Sequence, residues 1–118
     1  MWISNRGEPL PQSLTLDFGE LKSFRQVNLT FDTFYRTYRE MPFNCNREIS
    51  EMCVKDYALE IWDGTSWKTI VEVTNNYRRH RAHKFDRVSA SKLRLTVKTM
   101  NGEGLPARVY EIRVYDDV

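Results

Sequence analysis

Apolar and polar residues alternate along residues 57–73, on both sides of a short polar turn. In the first half, Tyr57, Leu59 and Ile61 fall on one face of an extended chain, and the second half repeats the alternation. A period of two is typical of a half-buried strand. The sequence Asp-Gly-Thr-Ser at 63–66 separates the halves, and Asp and Gly tolerate the positive φ of tight turns. The stretch therefore predicts a β-hairpin.

The same alternation recurs at regular spacing along the chain, and we find no amphipathic helix pattern between the runs. Such spacing favours a β-sandwich or a barrel of seven or eight antiparallel strands. The predicted strands are residues 13–18, 24–31, 55–62, 67–73, 79–85, 93–100 and 107–116. The side chains expected to be mostly buried are Leu14, Leu16, Val27, Leu29, Leu59, Ile61, Val71, Leu93, Leu95, Ile112 and Val114.

Four stretches carry a resemblance to a known family, and they occur in the same order as in that family. They are residues 11–19, 56–73, 93–97 and 109–115. Together they resemble the galactose-binding-like β-sandwiches, which include discoidin or coagulation factor V/VIII C-type domains and related bacterial carbohydrate-binding modules. The resemblance implies an all-β fold, an antiparallel two-sheet jelly-roll sandwich.

Residues 76–85, Asn-Tyr-Arg-Arg-His-Arg-Ala-His-Lys-Phe, refine this resemblance. Within the family they are most similar to the C-terminal module of bacterial FAD-dependent oxidoreductases. In related domains, a Trp-x-Ser sequence follows a first strand and a loop that often holds structural calcium. Here Trp2-Ile3-Ser4 directly follows Met1. We therefore expect one domain, residues 1–118, that is a C-terminal fragment of a larger protein and holds no structural calcium. The expected location is extracytoplasmic, either secreted or periplasmic.

Composition narrows the possible partners. The chain has 118 residues, of which 41% are hydrophobic and 13% aromatic, enough for a core. No run of 18 apolar residues occurs, so no membrane span is predicted. A net charge of +2 does not by itself indicate a polyanionic partner. Basic residues cluster at 78–87, but acidic residues balance them, so we interpret them as a charged strand face and expect no nucleic-acid partner.

The cysteine and histidine pairs do not match a metal site. Cys45 and Cys53 are eight residues apart, which fits no common zinc pattern, and both a disulfide and two free thiols remain open. His80 and His83 lie three apart on a predicted strand, so their side chains point to opposite faces. One of them is expected to be buried with a satisfied hydrogen bond. No metal site is predicted.

The predicted strand order also sorts the loops. Consecutive antiparallel strands run in opposite directions, so successive connections alternate between the two ends of a sandwich. We call these ends the first rim and the second rim. The first rim comprises residues 1–12, 32–54, 74–78 and 101–106, and the second rim comprises residues 19–23, 63–66 and 86–92.

Aromatic, arginine and asparagine residues concentrate on the first rim, whereas the second rim is short and polar. A pyranose offers an apolar C–H face to a ring and hydroxyls to planar donors and amides. The alternative is that the aromatic residues cover a small core of their own loop and the arginines are solvated. The candidate ligand-binding residues are Trp2, Tyr35, Arg36, Tyr38, Arg39, Asn76, Tyr77 and Arg78.

No catalytic motif is recognisable in the sequence. It lacks G-x-S-x-G, H-E-x-x-H, a glycine-rich phosphate loop and a Rossmann fingerprint, so no cofactor site is predicted. We therefore predict a non-catalytic carbohydrate-binding accessory module of a larger bacterial enzyme, whose partners are a glycan and a neighbouring domain. The alternative is a structural docking domain that packs on a catalytic domain, such as an FAD-dependent oxidoreductase, and binds no sugar.

Overall fold

The computed structural model of the chain describes residues 2–4, 8–32, 53–102 and 104–116. Within these residues the regular elements are six strands, and all their pairings are antiparallel. The strands are β1 (Trp2–Ile3), β2 (Gln12–Phe31), β3 (Val54–Trp62), β4 (Trp67–Val73), β5 (His80–Met100) and β6 (Arg108–Tyr115). The all-β antiparallel prediction is confirmed. In the part of the chain that is described, there is no helix long and apolar enough to cross a membrane.

Two strands are far longer than predicted. The strands predicted at 13–18 and 24–31 are one strand, β2, and those predicted at 79–85 and 93–100 are one strand, β5, which begins at His80. The intervening segments pair with each other instead of forming separate turns, as in the pairing of Ser23 with Ser89. Register shifts interrupt the β2–β5 ladder in this region, and such bulges bend strands. The described residues therefore form six strands where seven or eight were expected.

The bent strands β2 and β5 fold the hydrogen-bonded sheet into two layers. Layer A contains residues 12–17 of β2 and 92–100 of β5, with β3 and β4. Layer B contains the other halves of β2 and β5, with β6 and β1. Tyr57 of layer A contacts both Phe31 and His83 of layer B, with ring centroids 5.1 and 5.7 Å away. This face-to-face packing is the predicted sandwich.

The core lies between these layers. Six of the eleven side chains predicted to be buried are buried, and the other five are half-buried. The buried ones are Val27, Leu29, Leu59, Ile61, Leu93 and Leu95. The half-buried ones are Leu14, Leu16, Val71, Ile112 and Val114. These five lie on the edge segments of the two layers, where a strand has a neighbour along only part of its length.

The β3–β4 hairpin has the predicted turn at residues 63–66. Gly64 adopts a φ of 103°, and the side chain of Asp63 accepts hydrogen bonds from the backbone N–H groups of Thr65 and Ser66, each 2.8 Å long. These backbone bonds lower the pKa of the exposed Asp63 carboxyl to about 2. The Asp-Gly sequence thus encodes the turn through both a backbone conformation and a side-chain acceptor.

Candidate functional site

Side-chain and backbone hydrogen bonds tie the described parts of the first rim together. The Asn101 side chain donates to the carbonyl oxygens of Cys53, at 3.1 Å, and Asn76, at 3.0 Å. The Ser4 backbone N–H donates to the carbonyl of Ala107 at 3.0 Å. Residues 74–78 and 101–106 therefore lie at the same end of the sandwich, which confirms the predicted placement of these two segments.

A groove of about 780 Å³ opens at this end of the molecule. Its lining combines apolar and hydrogen-bonding groups from three parts of the chain. The residues that line it are Glu8, Pro9, Leu10, Lys55, Asp56, Lys98, Thr99, Met100, Asn101, Gly102, Gly104, Leu105 and Pro106. The proline and leucine side chains supply apolar surface, and the start of β3 and end of β5 supply charged and polar groups. A lining of this kind suits a small ligand with both C–H and hydroxyl surface.

Asn76, a predicted ligand residue, is only 3% exposed. Its amide nitrogen donates to the carbonyl oxygens of Val54, at 2.8 Å, and Arg78, at 3.3 Å. Its amide oxygen accepts from the Arg81 guanidinium at 2.9 Å, and its backbone N–H donates to the carbonyl of Lys55 at 2.8 Å. Its side chain therefore holds the rim segment in place from inside and does not face solvent.

Tyr77 and Arg78 directly follow Asn76 and point outward. Tyr77 is 47% exposed, and the Arg78 guanidinium carbon lies 5.8 Å from the centre of the Tyr77 ring. The backbone N–H of Asn75 donates to the Asp56 carboxylate at 2.9 Å, so this segment is anchored next to a groove residue. Tyr77 and Arg78 are thus the predicted residues that the structure presents to solvent at the first rim.

The other predicted residues fall into two groups. Trp2 is half-buried on β1 and packs against the hydrophobic core. Tyr35, Arg36, Tyr38 and Arg39 lie outside the residues that the structure describes. Of the eight predicted residues, the structure therefore places Asn76, Tyr77 and Arg78 on the same rim segment.

Sequence reasoning did not select the polar groove residues Lys55, Asp56, Thr99 and Asn101. They were assigned to strand ends or to a generic loop, because the predicted strand order placed these strand ends at the first rim without showing that their side chains line a groove. A usable signal was present. Lys55 and Asp56 interrupt the apolar pattern at the start of β3, and Asn101-Gly102 follows the last residue of β5.

The aromatic rings on the outer face of layer A are already covered by neighbours. Trp62 and Trp67 contact each other with ring centroids 5.4 Å apart, and the Arg94 guanidinium carbon lies 4.1 Å from the Trp67 ring. Arg94 is also paired with Glu60. Burial opposes ionisation of Glu60, but hydrogen bonds from Arg94 and Thr96 prevail and lower its pKa. These tryptophans therefore stabilise the sheet surface.

A buried polar network lies beneath the first rim. Asp32 pairs with Arg108 at 3.1 Å, and their side chains are 3% and 15% exposed. Cys53 is a buried free thiol, and burial together with the negative charge of Asp32 raises its pKa to about 11. At neutral pH it is therefore a protonated thiol and a poor nucleophile. Cys45 lies outside the described residues.

A second buried polar contact joins the two layers. The Tyr57 hydroxyl and His83 Nε2 are 2.6 Å apart, and burial raises the pKa of Tyr57 to about 12. Burial also lowers the pKa of His83, and the nearby positive charge of Arg81 lowers it further. His80, in contrast, is exposed on the outer face. The prediction that the two histidines face opposite sides is confirmed, and the inward one, His83, makes a hydrogen bond but is half-buried where a buried side chain was expected.

Stability should therefore fall as the pH is lowered through the unfolded-state pKa of His83, about 6.5. Below this pH the unfolded chain binds a proton that the folded protein resists, at a cost of at most about 1.4 kcal/mol per pH unit. Urea denaturation between pH 7.5 and 5.5 measures the slope, and His83→Gln should flatten it. His80→Gln is the matched control and should lose stability over the same interval as the parent. An unchanged slope in His83→Gln would contradict the assignment.

No cluster of three histidine, cysteine, aspartate or glutamate side chains that could hold a metal ion occurs among residues 2–4, 8–32, 53–102 and 104–116. In its described part, the first rim offers a groove with an exposed tyrosine and arginine beside it.

The two-layer antiparallel sandwich, with its groove at a loop-bearing rim, defines a galactose-binding-like β-sandwich domain. The model of the family described as "NedA-like, galactose-binding domain" matches residues 1–95, and the chain belongs to this family. No curated protein matches the sequence.

Solved structures share the fold at low sequence identity. One is a Clostridium perfringens module, CpGH89CBM32-5, in complex with GalNAc-β-1,3-galactose, with 20% identity and a TM-score of 0.70 over 97% of this chain and 73% of that one. Another is the family 32 carbohydrate-binding module of C. perfringens NanJ in complex with galactose, with 18% identity and a TM-score of 0.67 over 94% and 71%. A third is chitosan-binding module 1 of a Paenibacillus chitosanase/glucanase, with 18% identity and a TM-score of 0.72 over 97% and 74%.

Proposed function

We propose that this domain is a non-catalytic carbohydrate-binding accessory module of a larger bacterial enzyme, and that it binds sugar at the first rim. The observation that carries the proposal is the rim groove, with apolar and hydrogen-bonding surface next to the exposed Tyr77 and Arg78. Membership of a galactose-binding family and the sugar complexes of the structural neighbours support it.

The chemistry of the groove matches that of a pyranose. Leu10 and Leu105 offer apolar surface to C–H groups, while Asp56, Thr99 and Asn101 offer acceptors and donors to hydroxyls. Beside the groove, the exposed Tyr77 ring adds a surface on which a sugar can stack.

We also propose that the domain itself performs no reaction. Its described thiol, Cys53, is buried and protonated at neutral pH, and the half-buried His83 is engaged with the Tyr57 hydroxyl. Cys53 and His83 thus serve the interior of the fold. Catalysis in the parent protein would lie in another domain.

A docking role on a neighbouring catalytic domain is the second candidate. It rests on the resemblance of residues 76–85 to the C-terminal module of FAD-dependent oxidoreductases. In the structure, however, Asn76, Arg81 and His83 of this segment make contacts inside the domain. They explain the fold of the segment without a partner, so the oxidoreductase parent stays a proposal.

The exposed apolar side chains also favour sugar binding over docking. A docking surface presents a contiguous apolar patch. The exposed large apolar residues of the described chain are Ile3, Leu21, Tyr77 and Tyr110; Ile3 and Tyr110 lie on the paired strands β1 and β6, whereas Leu21 and Tyr77 come from two other segments. Leu21 lies in the bent part of β2, and Tyr77 lies on the rim segment that follows β4.

Replacing Tyr77 with alanine tests the proposed site. Binding of galactose, N-acetylgalactosamine or chito-oligosaccharide is measured by calorimetry, because the neighbours' sugars differ. The affinity should fall about tenfold or more, since an exposed ring that stacks on a ligand contributes at least about 1.4 kcal/mol. The melting temperature should hardly change, because an exposed side chain contributes little to folding.

Tyr110→Ala is the matched control. Tyr110 is 45% exposed, close to the 47% of Tyr77, but lies on β6, where its ring contacts the Arg79 guanidinium at 4.9 Å and does not line the groove. It should bind sugar like the parent. If none of the sugars binds the parent domain, or if both tyrosine variants bind equally well, the first rim is not a sugar site and the docking role stands.

A further inference from the structure

A second depression, of about 510 Å³, lies on the outer face of layer B, on a different surface from the rim groove. Its centre is a row of three residues across neighbouring strands, in which Asn28 of β2 pairs with Ala82 of β5 and Arg113 of β6. Alternation places all three side chains outward, because the adjacent Leu29 is buried in the core. The small side chain of Ala82 leaves the space between its larger neighbours open.

Polar side chains border this row on both sides. On one side Thr30 Oγ1 lies 3.2 Å from His80 Nδ1, and Glu111 pairs with Arg113. On the other side Tyr115 and Lys84 face each other across β2. The face therefore presents hydroxyl, amide, imidazole and guanidinium groups with an aromatic ring at its edge, in positions set by the strand register.

We propose that this face is a second saccharide site and that it takes an oligosaccharide carrying carboxylate groups. The inference rests on the proposed function only for the general class of ligand, since its residues and its location are different. The amide of Asn28 and the hydroxyl of Thr30 suit sugar hydroxyls, and the half-buried Tyr115 ring suits a C–H face.

The charges of the face argue for an acidic ligand over a neutral one. Arg113 and Lys84 are cationic and exposed, whereas Glu111 is the carboxylate that contributes to the lining among the described residues. Glu111 already pairs with Arg113. In the described part of the chain, no carboxylate lies within ion-pair distance of Lys84. Lys84 therefore leaves the face with a net positive charge, and the Arg113 guanidinium, which has five N–H donors, can bind a ligand carboxylate as well as Glu111.

The size of the face fits an extended ligand. The row crosses three strands spaced about 4.8 Å apart, so the lining extends about 10 Å across the sheet. A simple anion would contact one row, whereas the donors and acceptors here continue into both flanking rows. An oligosaccharide can use this repeated arrangement of groups.

Filling the depression tests the inference. Ala82→Tyr places a large side chain in its centre while the outward position leaves the core unchanged, and Thr15→Tyr, on the exposed outer face of layer A, is the matched control. Arg113→Gln is a second, conservative variant that removes the charge. The probes are galacturonate and glucuronate tetrasaccharides and sialyllactose, each compared with an uncharged counterpart by calorimetry at low and high salt.

The parent should bind at least one acidic probe more tightly than its uncharged counterpart, and salt should weaken that binding. Ala82→Tyr and Arg113→Gln should each reduce the affinity for that probe about tenfold, whereas Thr15→Tyr and Tyr77→Ala should leave it unchanged. The inference is overturned if no acidic probe binds, or if Tyr77→Ala abolishes binding while Arg113→Gln retains it. Loss of neutral-sugar binding at the rim would be a failure of the proposed function alone.

Discussion

Tyr57→Ala should reduce the free energy of unfolding by about 3–5 kcal/mol, the usual cost of truncating a buried aromatic side chain. Tyr57 is fully buried and is among the largest fully buried side chains of the described chain. It belongs to β3 in layer A, but its ring packs on Phe31 and its hydroxyl contacts His83, both in layer B. Its removal would open a cavity between the layers. Since domains of this size are stable by about 5–15 kcal/mol, the loss would be a large part of the total.

Two further tyrosine variants separate the causes. Tyr57→Phe keeps the ring and removes the hydrogen bond to His83, so it should cost about 1–2 kcal/mol. Tyr77→Ala removes an exposed ring, and should change stability by no more than about 0.5 kcal/mol. Urea denaturation of the three variants gives the comparison. A Tyr57→Ala protein as stable as Tyr77→Ala would show that the two layers do not pack through this residue.

The sequence contained enough information for the fold because alternation has a direct physical cause. Leu59 and Ile61 had to share a face, and a sheet with one apolar face must cover it. The same reasoning could not show that β2 and β5 run unbroken through residues 19–23 and 86–92. These two polar segments form strand structure because they pair with each other, and that pairing depends on the three-dimensional fold. Their polar composition alone is typical of turns, so turns were predicted where the chain forms a bent ladder.

The site was less predictable, because a residue type does not determine its exposure. Asn76 and Tyr77 are adjacent and were both chosen as sugar ligands, yet one is buried and the other exposed. A buried asparagine is stable where its amide can satisfy backbone groups that lack other partners. The Asn76 amide does this for the carbonyl groups of Val54 and Arg78. In contrast, the position of Lys55 and Asp56 at the groove follows from the end at which β3 begins. The predicted strand order already placed that end at the first rim, but it could not show which side chains there line a groove.

Asn76→Ala should lower the free energy of unfolding by about 3 kcal/mol, because the amide satisfies several buried groups at once. Without it, the carbonyl of Val54 loses a donor at 2.8 Å and the Arg81 guanidinium loses an acceptor at 2.9 Å. The side chain also bridges to the backbone of Arg78, so the segment that presents Tyr77 should lose its anchor. We therefore expect faster amide hydrogen exchange at residues 75–79 as well as a lower melting temperature.

Asn75→Gly is the control that distinguishes this role from a general sensitivity of the turn. Asn75 is exposed and has a φ of 57°, a conformation that glycine adopts readily, and its backbone N–H can still donate to Asp56. Its stability should stay within about 0.5 kcal/mol of the parent. If Asn76→Ala were equally harmless but lost sugar binding, Asn76 would contact ligand directly. The buried hydrogen bonds predict the opposite result. Asn76→Ala should lose stability, and its sugar binding should weaken only because the rim segment is no longer anchored.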